Sequence, residues 1–175
     1  MANFTIQKAL SNLPDIQRNY MFELWIPPIA QLNMDDMRIR CRSAVIPQRG
    51  NDTIESHYMG MKQFWPGKPN FTHTLSVNIE EFEDKKVAKS LYSWQQLLFD
   101  VENNGASTGK SKRDVVRDIL LKMYKYDGSD LSTITFFSAW PQTITDVALG
   151  YAESGAVIYP VTFQFDRWEL TNPRP

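Results

Sequence analysis

The stretch FTHTLSVNIE, Phe71 to Glu80, decides the fold class. Phe71, Leu75, Val77 and Ile79, joined by His73, share one side, while Thr72, Thr74, Ser76, Asn78 and Glu80 share the other. A period of two belongs to an extended strand, whose successive side chains point to opposite faces. Such a strand covers a core with one face and meets water or a polar partner with the other.

The flanking segments repeat this rhythm. In RNYMFELWIPP, Tyr20, Phe22, Leu24 and Ile26 fall on one face before two prolines end the strand. In MRIRCRSAVIP, Met37, Ile39 and Cys41 alternate with Arg38, Arg40 and Arg42, which predicts a strand with three arginines on one face. STITFFSA reads as a strand that Trp140-Pro141 closes. VIYPVTFQFDRWEL places Val157, Tyr159, Val161, Phe163 and Phe165 together, and the phase slips near Asp166, which suggests a bulge or a strand end. One segment changes period. From Lys85 to Phe99, within a helix expected over 85–100, Val87, Leu91, Trp94 and Leu98 stand at helical spacing, with Asp84 as the expected N-cap. RDVVRDILLKMYK, 113–125, fits a helix or a strand.

Residues 48–70 are rich in Gly, Pro and aromatics, and read as a long irregular binding loop; large aromatics argue against disorder. The N-terminal arm (1–17) lacks a signal-peptide apolar core. No run nears the ~18 apolar residues of a membrane span, so a soluble protein without membrane insertion is expected. A chain of 175 residues fits one domain, 1–175. The 19 basic and 20 acidic residues balance, which argues against a strongly basic nucleic-acid binder. Cys41 is the lone cysteine and excludes an internal disulfide.

The candidate chemistry is thin. GASTGKS, Gly105 to Ser111, resembles the end of a phosphate loop, with Lys110 and Ser111 in the reactive places. The spacing fails: Asn104 stands where the first glycine belongs, and a helix rather than a buried parallel strand precedes it. A flexible surface loop over 101–112 is the preferred reading, carrying Lys110, Lys112 and Arg113. His57 and His73 have no metal-binding spacing, and His73 reads as a core histidine. Glu80, Glu81, Glu83 and Asp84 match no calcium loop and read as helix capping. Arg38, Arg40 and Arg42 could bind phosphate; cross-strand or intersubunit pairing with carboxylates is preferred. No catalytic, metal or cofactor site is expected.

Four blocks in this order, Arg40 to Pro47, Ile54 to Ile79, Phe136 to Ile144 and Val161 to Glu169, make the chain resemble contractile-phage tail tube proteins. The resemblance implies a mainly β fold: an antiparallel β-barrel or sandwich with one flanking helix and a long stacking loop. By the same analogy 113–125 becomes a strand. It implies homohexameric rings stacked into a tube in the virion, assembled in the host cytoplasm, with DNA passing through without specific binding. Sheath, baseplate, tail-terminator and tape measure proteins are the implied partners. A tube initiator, or the tube of a phage-like bacteriocin or injection system, shares this architecture; a small nucleotide-binding enzyme is the reading from another class. Since phosphate contacts dominate nonspecific DNA affinity, a conduit should present few free cations. That assigns Thr72, Thr74, Ser76, Asn78 and Glu80 to the channel. In the family the long loop reaches the next ring, which assigns Tyr58, Met59, Phe64 and Trp65 to stacking.

Overall fold

The computed structural model describes residues 15–29, 32–97, 99–100, 106–151 and 154–171. Its strands are β1 (Phe22–Trp25), β2 (Cys41–Val45), β3 (Arg49–Tyr58), β4 (Met61–Phe71), β5 (Thr74–Glu80), β6 (Phe99–Asp100), β7 (Ala106–Ser107), β8 (Arg117–Tyr124), β9 (Asp130–Ile144), β10 (Ile158–Gln164) and β11 (Arg167–Thr171). Among the described residues three helices join them: α1 (Asp35–Arg40), α2 (Lys86–Gln96) and α3 (Lys112–Val115). No helix among the described residues is long and apolar enough to cross a membrane.

The long β9 organises the molecule. Its first half pairs β8 on one side and β11 on the other, and β8 pairs β1. Its second half pairs only β10, which continues through β5 to β2. The chain changes layers at Ser138, held at φ 56° where side chains rarely sit, while Asp118 Oδ1 accepts its backbone N–H at 2.9 Å. Two antiparallel layers thus share one bent strand. The end strands β1 and β2 are not hydrogen-bonded to each other, so the fold is a sandwich and not a closed barrel.

The inner faces supply the core: Leu24, Ile119, Leu121, Ile134 and Phe136 from one layer, and Leu75, Val77, Ile79, Val161 and Phe163 from the other. Helix α2 adds Val87, Leu91 and Trp94. The Trp94 ring lies 5.8 Å from that of Phe163, and its Nε1–H donates to the Val115 carbonyl at 2.7 Å, so the indole is buried without an orphaned donor.

Five sequence readings need correction. Residues 35–40 are helical, so Arg38, Arg40 and Arg42 do not share a strand face: Met37 is buried, whereas Ile39 is exposed. Residues 48–70 are not an irregular loop but mostly a two-stranded ribbon of β3 and β4. Phe71–Glu80 is not one strand, because the ribbon ends at Phe71 and β5 begins at Thr74. His73 is exposed rather than in the core; its Nδ1 lies 3.2 Å from the Phe165 carbonyl oxygen and its ring stacks on Phe71. Pro141 does not close β9, because that half of the strand is paired on one side only and a register shift opposite it relieves the ladder. The ambiguous 113–125 resolves into the end of α3 followed by β8. The slip near Asp166 is a strand end, where the chain leaves β10 in one layer for β11 in the other.

Candidate assembly surfaces

The β3–β4 ribbon projects from the sandwich. A two-residue loop, Met59-Gly60, closes it with both residues at positive φ, 49° and 80°, the geometry of a type I′ hairpin turn. Glycine takes that backbone freely; methionine does so at a cost of about 1–2 kcal/mol. Further down, a Cβ on Gly67 would lie 2.8 Å from the Asp52 carbonyl oxygen, so the bulge between Asn51 and Thr53 requires glycine there.

The register sorts the ribbon's side chains. Tyr58 faces Met61, Ser56 faces Gln63 and Ile54 faces Trp65, all on one side; His57–Lys62 and Glu55–Phe64 form the other. The sequence grouped Tyr58, Met59, Phe64 and Trp65. The structure separates Phe64 from Trp65, leaves Met59 at the tip and adds Ile54 and Met61 to the Trp65 side. All six are more than half exposed. Soluble surfaces rarely leave so many large apolar groups together without a partner to cover them.

The second surface is the outer face of the β2–β5–β10 layer. Leu75, Val77 and Ile79 point inward, so Thr74, Ser76, Asn78 and Glu80 point outward, beyond the exposed Thr72. Ser43, Pro160, Thr162 and Gln164 lie beside them in register, as do two exposed apolar residues, Val45 opposite Ser76 and Ile158 opposite Glu80. Asn78 Nδ2 donates to Ser43 Oγ at 2.9 Å. Arg42, at the β2 bulge, ion-pairs with Glu80, and these two are the charged groups on that face among the described residues.

The other two arginines pair elsewhere. Arg38 meets Glu23, which also accepts the Tyr124 hydroxyl at 2.6 Å; that hydrogen bond holds the phenol proton and pushes its pKa up to about 12. Arg40 grips Asp84 through both terminal nitrogens, at 2.8 and 2.6 Å, and reaches the nearly buried Glu81 at 3.5 Å. Asp84 is not the N-cap of α2. Lys85 occupies that position; Asp84 Oδ1 still accepts the Lys86 N–H at 3.4 Å, and Glu81 accepts from the N–H groups of Val87 at 3.3 Å and Ala88 at 2.7 Å.

The Arg40 hydrogen bonds hold the Asp84 carboxyl down at about 2. A carboxyl lowered in the folded state contributes stability above its unfolded pKa, near 4, and loses it as pH falls through about 2. Asp84→Asn therefore melts below wild type at pH 7, and the gap narrows as pH falls from about 4 toward 2; thermal melts across that range check it.

Of the phosphate-loop candidate, Gly105 lies outside the described residues. Ser111 starts α3, where its hydroxyl and backbone N–H both donate to Asp114 Oδ2 at 2.8 Å. Lys112 is held by Asp166 at 2.6 Å. The sheet around them is antiparallel throughout. His57 and His73 sit on different parts of the molecule, and no group of three metal-ligating side chains occurs among the described residues.

A third feature was not legible in the sequence. Phe82, Tyr92, Ile144, Leu149, Val157 and Tyr159 line an open groove beyond the Glu80 end of β5. Three chain segments build it, and no periodicity links them.

The sandwich thus carries a projecting apolar hairpin and a largely polar sheet face. Its fold is that of chains solved in contractile injection machines. A chain of the PVC extracellular contractile injection system sheath–tube complex in the extended state matches at TM-score 0.65 and 17% identity, over 98% of this chain and 100% of that one. A chain of the anti-feeding prophage tube-terminating cap matches at 0.65 and 16%, over 92% and 94%. One from the PVC sheath/tube terminator matches at 0.64 and 17%, over 91% and 99%. No curated protein sequence matches. The phage tail tube protein family model matches residues 3–171, and the chain belongs to that family.

Proposed function

We propose that this tail tube protein is the repeating subunit of a contractile-tail tube, with copies closing into hexameric rings that stack around a channel through which DNA passes. The observation that carries the reading is the division of its surfaces. Large apolar groups concentrate on the β3–β4 hairpin, while the outward side chains of β5 itself are polar and its one charge, Glu80, is paired, with the apolar Val45 and Ile158 at the margins of that face. The hairpin serves contact between rings, through Tyr58, Met59, Phe64 and Trp65. The β5 face, Thr72 to Glu80, lines the channel, where a phosphate backbone meets no uncompensated cation. Joining subunits around a ring covers sheet edges that would otherwise template aggregation. The role is structural rather than enzymatic. Sheath outside, baseplate and terminator at the ends and tape measure within the lumen are the partners of such a tube, in a virion assembled in the host cytoplasm. Chains of similar fold come from complexes described as sheath–tube, sheath/tube terminator and baseplate, which supports this set.

Negative-stain microscopy of the purified protein tests the reading. Long hollow tubes are expected. Isolated rings that never stack would point to an initiator, and monomers at all concentrations would overturn the proposal. The same neighbours favour a second reading, the tube of an injection system, which a search of purified virions for this chain separates from the first.

A further inference from the structure

The hairpin and the apolar groove stand at opposite ends of one strand. The ribbon returns into β5 just before Thr74, and β2, which feeds the ribbon, approaches that same end with Val45 opposite Ser76. The groove begins where β5 stops, past Glu80, beside Ile158, its register partner. The seven residues of β5 separate them by about 24 Å at the usual strand rise. A protruding apolar element at one pole and an apolar hollow at the other cannot meet within one chain. They meet when a second copy is displaced along the strand direction, and such a head-to-tail contact repeats without closing.

The chemistry of the two surfaces agrees. In the groove Phe82, Tyr92 and Leu149 stand 52%, 48% and 80% exposed, so the hollow has apolar walls with nothing over them. On its rim Glu83, Asp146 and the cation Lys85 have no ion-pair partner among the described residues. On the ribbon Arg49, Lys62 and Lys68 outnumber Asp52 and Glu55. The rim's charges nearly balance, and on the ribbon Lys62 is paired with Glu55, so the match between the two surfaces is chiefly apolar.

We propose that this groove is the receptor for the β3–β4 hairpin of the next copy in the stack, an assignment that rests on the tube reading. Trp65→Ala removes the largest side chain of the insert, and Tyr92→Asp places a charge on the receptor. Both positions are exposed, so each variant melts like wild type. Rings of either variant alone stay unstacked. Rings of the two mixed give stacks of two and no longer, because the Tyr92→Asp hairpins enter intact Trp65→Ala grooves and every remaining junction is defective. Normal tubes from Tyr92→Asp would overturn the groove assignment and leave the tube intact; wild-type protein that forms no tubes would overturn the tube reading itself. If Tyr92→Asp melts early, disulfide trapping decides. In a Cys41→Ser chain carrying Met59→Cys and Leu149→Cys, oxidised tubes give a ladder of linked multimers. Tubes that form normally and run only as monomers after oxidation would sink the assignment.

Discussion

Trp65→Ala leaves the melting temperature unchanged and abolishes tube formation. The first half follows from exposure: the side chain is 57% exposed and belongs to a ribbon outside the core, where substitutions typically change stability by under about 0.5 kcal/mol. The second half follows from repetition. A buried interface tryptophan costs about 2 kcal/mol or more when truncated. In the proposed hexameric ring the loss recurs at each of the copies facing the next ring, so a junction weakens by roughly 12 kcal/mol, many times the 1.4 kcal/mol that carries a factor of ten. Tube length should therefore collapse rather than shorten. Calorimetry and electron microscopy on the same preparation check both halves. Equal melting with equal tube yield would show that Trp65 covers nothing, and lower melting with lost tubes would show that it supports the fold instead.

The layered β fold was legible where period and burial coincide. Leu75, Val77 and Ile79 are buried and alternate with polar neighbours, so the face of β5 could be assigned from its letters alone. Residues 37–42 show the opposite. Met37, Ile39 and Cys41 alternate as a strand would, yet the helix signals lay just before them: Asn33 Oδ1 accepts the Asp35 N–H at 2.8 Å, with Asp35 and Asp36 in the first turn and Arg38 and Arg40 in the last. A helix of six residues buries so little that capping and charge placement outweigh periodicity. The ribbon was hidden by its prolines and glycines, although a two-residue loop at Met59-Gly60 pairs Tyr58 with Met61 and sets the pairs as far as Thr53 with Pro66, beyond which the bulge shifts the register. The groove was beyond reach, since Phe82, Leu149 and Val157 become neighbours only through the pairing of β5 with β10.

Glu80→Gln tubes should assemble normally and hold DNA that wild-type tubes release. Among the described residues Glu80 has one charged neighbour on the sheet face, Arg42; the Arg42 side chain is 61% exposed and that of Glu80 12%. The guanidinium end is open to water, which limits what the pair contributes to folding, and glutamine keeps the size and polar contacts of the side chain, so the substitution spares the subunit. Its effect in a channel is larger. Neutralising Glu80 frees one guanidinium per subunit, repeated around every ring and along every ring of the stack. Each phosphate that a freed cation engages releases counterions and steepens the fall of log K with log salt by about 0.9. Several such contacts acting at once give an affinity at ~50 mM salt on the order of a hundredfold or more above wild type, lost again by a few hundred millimolar. The measurement is retention of short labelled duplex DNA by assembled tubes across a salt series, with Arg42→Gln/Glu80→Gln as the control that removes both charges. Retention in the single variant and release in the double place the pair in the conduit. Retention in both would trace the effect to another cation, and release in both would put this sheet face outside the channel.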